Sequence, residues 1–151
     1  MKKSLPQKTN RPKKAAATSD PRDKFLREHM RLAQGDILEF SRNPKHVSPE
    51  WPEGYWPARE APPSEKAWKA SMAAFKKDLR AMERLIADKK TDLYAKLPWG
   101  DGHTVLREAL LVADHNAYHL GQLVMLKKSI GIGTLPLRKT IVETRQAASL
   151  R

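Results

Sequence analysis

The segment Val105–Ile130 constrains this chain more than any other. It holds 26 residues dense in Val, Leu and Ala, free of proline, and ended by Gly131 and Gly133. Glycine past the last periodic residue is a helix stop. At 1.5 Å per residue the helix is roughly 39 Å long. Thr104 stands where an N-cap is needed. A helix this apolar is expected inside a bundle and not on its rim. No apolar run approaches the roughly 18 uninterrupted residues of a membrane span.

Two further segments carry helical periodicity. From Asp23, the residues Phe25, His29, Leu32, Asp36 and Phe40 recur at spacings of three and four, and Leu26, Met30, Ala33 and Ile37 widen the stripe. Asp20 or Asp23 can cap this helix, and Asn43-Pro44 ends it because the residue before proline avoids the helical region. Ser64 then opens a second helix, fading at Asp88. Its Trp68, Met72, Phe75, Leu79, Met82 and Ile86 form a heptad-like packing seam. Phe75 and Leu79 are expected to be buried. Between the two lies a loop, residues 43–63, holding six of the eleven prolines and the aromatic run WPEGYWP. A loop of this length packs as a lid over one end of the domain or lines a site. The expected fold is all-α, an up-down helical bundle over residues 23–131.

Charge lies at the ends. Of the formal +12, residues 1–22 carry +6, with seven Lys/Arg against one Asp. Residues 127–151 carry +5, with six Lys/Arg against one Glu. Residues 1–22 have Leu5 as their only large aliphatic besides Met1, so they read as a disordered basic tail, and residues 132–151 read as a second one. A near-neutral body excludes a folded nucleic-acid platform and leaves the tails as the only polyanion surface. No secretory signal is visible, so a cytoplasmic protein is expected. The absence of cysteine excludes a disulfide framework, a thiolate zinc site and a Cys nucleophile.

The chemistry sits in the histidines. His115 and His119 stand four apart in the middle of the longest helix, on one face and one turn from each other. His29 lies on the apolar stripe of another helix. Three histidines converging from apolar faces are better explained by a cation than by separate core hydrogen bonds, and neutral imidazoles suit zinc, nickel, iron or copper. Asn116 follows His115 directly, so there is no HExxH glutamate and no zinc-protease mechanism. Three ligands leave coordination positions open, the pattern of a catalytic metal. Gln122, one turn beyond His119, can orient a bound water or substrate. Asp36 reads as a solvated helix edge, with a supporting role or a fourth ligand as the alternative. Asn116 is a further candidate for support. His46 and His103 fall in loops.

The stretch GDGHTVLREALLVADHNAYHLGQLVMLKKSIG resembles the last helix of the DinB/YfiT-like superfamily, with its HNxxHxGQ signature. The resemblance reaches back through SMAAFKKDLRAMERLIAD and WPEGYWP to REHMRLAQGDILEFSRNP, about residues 25–131. It implies a metal-binding four-helix bundle with one histidine from the second family helix and two from the fourth. By position these are His29, His115 and His119. It also implies a bacterial metalloenzyme using a divalent transition metal (zinc, nickel or iron). The reaction would be hydrolysis, or group transfer with a low-molecular-weight thiol cosubstrate such as bacillithiol, mycothiol or glutathione. The metal would then favour the thiolate that a cysteine-free chain cannot supply. The first family helix is missing here, its place taken by the basic tail. The remaining helices are expected to expose an apolar groove, hence a homodimer. The alternative function is a non-enzymatic or degenerate bundle whose basic tails bind nucleic acid or another polyanion.

Overall fold

A computed structural model describes residues 20–131. The described residues form an all-α unit of three long helices, α1 (Pro21–Arg42), α2 (Glu65–Ala87) and α3 (Val105–Ser129), with a single 3-10 turn at Glu53–Tyr55. The two basic tails lie outside them except for Asp20–Arg22. Those three residues belong to the start of α1: the Asp20 carboxylate accepts from Arg22 N at 2.9 Å, and Pro21 occupies the first turn, where no amide donor is needed. The other helices begin as their sequences predict. Ser64 Oγ accepts from Ala67 N at 3.1 Å, and Thr104 Oγ1 accepts from Arg107 N at 3.2 Å. Gly131, at φ +74°, turns the chain out of α3.

Helix α1 is the centre of the unit. It packs against both α2 and α3, which touch each other little. Its inner face buries His29, Met30, Ala33, Gln34, Ile37, Leu38 and Ser41. Ile37 and Leu38 meet Met82 of α2 and Val112 of α3, with Leu79, Ala81, Leu85 and Ala109 packed around them. Gln34, 1% exposed, ties the three helices together. Its Nε2 donates to Phe75 O at 2.7 Å, and its Oε1 accepts from Asn116 Nδ2 at 2.9 Å. A buried amide satisfied on both ends holds the register of all three helices.

The connector between α2 and α3 is pinned to α1 by Trp99, whose indole N–H donates to Phe40 O at 2.8 Å. It closes with a turn through Asp101 (φ 43°) and Gly102 (φ 86°), and Leu97 N donates to His103 O. The turn delivers the chain to Thr104 and so sets where α3 begins.

Two expectations from periodicity are corrected. Helix α3 is not enclosed: Leu110 is 61% exposed, Leu120 57% and Met125 67%. On α2, Met82 is the one buried residue of the seam, while Phe75 and Leu79 are half-buried. Both follow from geometry. Two neighbours around a central helix cover one face each, and among the described residues no fourth helix closes the other side. No helix among the described residues is long and apolar enough to cross a membrane.

Candidate metal centre

The packing of α1 against α3 brings together His29, just over two turns into α1, and His115 and His119, at mid-length of α3. His29 and His119 are buried, and His115 is half-buried. Their three Nε2 atoms form a triangle with every edge 3.1 Å. Two nitrogens on a tetrahedral zinc with bonds of about 2.05 Å lie about 3.3 Å apart, so this triangle fits a small divalent cation. Among the described residues these three histidines are the group of ligating side chains able to hold one.

Proton accounting supports the fit. His29 Nδ1 lies 2.7 Å from Tyr55 O, and His119 Nδ1 lies 2.7 Å from Gln122 Oε1. Each oxygen can only accept, so each Nδ1 carries the hydrogen. In the neutral ring, Nε2 is then a bare lone pair. Burial favours the neutral form of His29, assisted by the neighbouring His119 and opposed by the Tyr55 carbonyl, with a net lowering. Burial, with the charges of His119 and His29, pushes His115 down to about 4. The His29 and His119 lone pairs therefore face each other at 3.1 Å with no proton between them. A cation relieves that repulsion, and the partners on Nδ1 hold the rings in the metal-binding tautomer.

The loop between α1 and α2 forms one wall of the centre. The Trp56 indole stacks on the His29 ring, with centroids 3.9 Å apart and planes at 11°. Phe25 stacks with the same indole at 5.7 Å. The loop is anchored from below by Asp36. Tyr55 Oη donates to Asp36 Oδ2 at 2.7 Å, and His46 Nε2 donates to Asp36 Oδ1 at 2.7 Å. Burial, followed by the hydrogen bond to Asp36, pushes the Tyr55 phenol up to about 12. Asp36 is thus neither a solvated helix edge nor a member of the histidine cluster; it holds the residue whose carbonyl orients His29. Its side chain is only 9% exposed because the loop covers it.

Gln122 orients the His119 ring directly. Asn116, between His115 and His119, points to Gln34 and serves helix packing. His46 and His103 do lie in loops, outside the triangle.

Beside the triangle opens a cavity of about 740 Å³ whose walls are largely aromatic and aliphatic, including Phe40, Trp51, Leu111 and Tyr118. A polar group, His103, Arg107 and Glu108, also lines it. The Glu108 carboxylate is 3% exposed and accepts from Arg107 Nη1 at 2.5 Å, with His103 Nδ1 at 3.1 Å. Sequence reasoning missed Trp56, Tyr55 and Glu108 as parts of the site. The first two had a signal in the crowded aromatics of WPEGYWP. Glu108 had a weaker one, lying seven residues before His115 and so on the same side of the helix.

No family model, curated protein or solved structure matches this chain.

Proposed function

We propose that this protein is a divalent-metal-dependent enzyme of the DinB/YfiT-like kind, with His29, His115 and His119 as the ligands. The reaction class is group transfer with a low-molecular-weight thiol, or hydrolysis. One observation carries the reading: three Nε2 atoms converge at 3.1 Å, with two of the rings locked so that their lone pairs point at one another. The resemblance of HNAYHLGQ to the family signature supports it independently. Zinc, nickel and iron all accept three imidazoles. When bound, such a cation supplies Lewis acidity that favours a thiolate or a hydroxide at neutral pH.

The chain's own groups have distinct tasks. Gln122 and the Tyr55 carbonyl hold the imidazole protons on Nδ1. Trp56 shields one face of His29 from water. The aromatic cavity receives the apolar body of a substrate, and a cytoplasmic setting would supply the free thiol. A second reading, a bundle without activity whose basic termini bind a polyanion, draws on the concentration of charge outside residues 23–126.

Elemental analysis after expression with added zinc or nickel tests the proposal. One ion per chain is expected. His29→Ala, His115→Ala and His119→Ala should each lose it, whereas His103→Ala and His46→Ala should keep it. Metal-free wild type, or equal loss in His103→Ala, would overturn the assignment.

A further inference from the structure

The cavity beside the histidine triangle runs along one face of α3, from Arg107 and Glu108 past Leu111 to His115 and His119. Arg107 and His115 are eight residues apart, about 12 Å at 1.5 Å per residue. The two ends differ in chemistry. The histidines stand at one. At the other, Arg107 is the one Lys or Arg in the lining. Two carboxylates also line the cavity, and both are engaged. Asp36 accepts from Tyr55 and His46, and Glu108 accepts from Arg107. Arg107 is engaged on one side only. Its Nη1 donates to Glu108 Oε1 at 2.5 Å and faces His103 Nδ1 at 3.2 Å. Its Nε and Nη2 have no acceptor among the described residues. That edge of a guanidinium presents two parallel N–H groups, the fork that grips both oxygens of a carboxylate. Glu108 is 3% exposed and out of a ligand's reach, whereas the Arg107 side chain is 52% exposed. A buried carboxylate thus holds the guanidinium at the cavity wall with one edge unused. Arg107 also lies in the first turn of α3, where the helix dipole favours negative charge.

We propose that Arg107 is the seat for a substrate carboxylate, and that the cavity takes an amphipathic organic acid. The apolar body of the ligand lies against Phe40, Trp51 and Leu111, and its carboxylate bonds to the Nε–Nη2 edge of Arg107. The Arg107–Glu108 pair is neutral overall. A monoanion is therefore matched there, whereas a phosphate dianion would leave excess negative charge beside a buried carboxylate. The inference deepens the function proposed above by naming the substrate class of the same cavity. A ligand anchored at Arg107 and about 12 Å long reaches the histidines with its other end. What happens at that end rests on the metal reading. The carboxylate seat rests on the cavity and the guanidinium alone.

Trp51 and Trp56 line the cavity, so tryptophan fluorescence reports binding. 4-Phenylbutanoate and its neutral isostere 4-phenylbutanamide are titrated into the full-length chain, as purified and after treatment with a chelator. The acid should bind about tenfold or more tighter than the amide, the usual worth of hydrogen bonds to a charged group. The preference should be the same with and without chelator. Arg107→Gln should bring the acid down to the amide and leave the amide unchanged. Arg80→Gln, the same charge change on the exposed side of α2, should keep the wild-type preference. If Arg107→Gln loses its helical circular dichroism, Arg107→Lys decides: it keeps the charge, lacks the fork and should lose most of the preference. Equal affinity for acid and amide in wild type overturns the proposal. So does a preference that Arg107→Gln retains or that Arg80→Gln removes. A preference abolished by the chelator overturns it too, because the carboxylate then sits on a metal ion. A chain that holds no metal and still prefers the acid through Arg107 loses the metal assignment and keeps the seat.

Discussion

At His119 the two ring nitrogens have different tasks. Nδ1 donates to Gln122 Oε1, and that bond is what leaves Nε2 free to point at His29 and His115. Gln122 is exposed and contributes little packing. Gln122→Leu should therefore lower metal affinity about 10- to 100-fold, the usual range for losing such a partner, while the melting temperature of metal-free protein stays near wild type. Equal affinity in competition with a chelator would show that the tautomer is held by something else. Tyr55 gives a pH signature of the loop anchor. Its folded pKa of about 12 lies above the ordinary value of 10.0, so the unfolded chain releases this proton first as pH rises. The stabilisation is complete below about pH 10 and is lost as pH climbs through about 12. Titration by tyrosinate absorbance should show one of the three tyrosines ionising late, and Tyr55→Phe should remove that component.

Helices α1 and α2 differ in how much their seams bury, and truncation should report it. Leu38 is 1% exposed and sits where all three helices meet, so Leu38→Ala should cost about 2–5 kcal/mol. Leu79 is packed against the same cluster but half-buried, so Leu79→Ala should cost about 1–2 kcal/mol, since less apolar area is withdrawn from water to begin with. Denaturant unfolding of both variants checks the order, and an equal or larger loss at Leu79 would mean that α2 is covered more fully than its packing against α1 provides. Gln34→Ala belongs with these. It leaves Asn116 Nδ2 without its acceptor, at a cost of about 1–3 kcal/mol where that group stays dry, whereas Phe75 O, inside α2, keeps its helical amide donor.

Across the whole molecule, the candidate metal centre and the fold share the α1–α3 contact, so occupancy and stability should be linked. A cation bound only by the folded chain adds RT ln(1 + [M]/Kd), about 4 kcal/mol at a thousandfold excess over Kd. Chelation should lower the melting temperature of wild type and leave His119→Ala unchanged, as scanning calorimetry with and without chelator would show. An identical drop in His119→Ala would mean that the chelator acts elsewhere.

Local rules were enough to read the helices and their starts from the chain. Capping by Ser64 and Thr104, the stop at Asn43-Pro44 and the periodic stripes all depend on residues a few positions apart. The spacing of His115 and His119 was legible for the same reason, because a helix places i and i+4 side by side whatever surrounds it. His29 entered through its place on an apolar stripe and through a resemblance, but its distance to the other two comes from how α1 packs on α3. The loop was beyond local reading: that Tyr55 O meets His29, that Trp56 covers the ring and that Asp36 holds Tyr55 are contacts set by chain folding over separations of 19 to 27 residues. Burial was the other quantity periodicity could not supply. A 3.6-residue stripe says that a face is apolar, not what lies against it, so α3 looked enclosed on all sides while its neighbours cover only one.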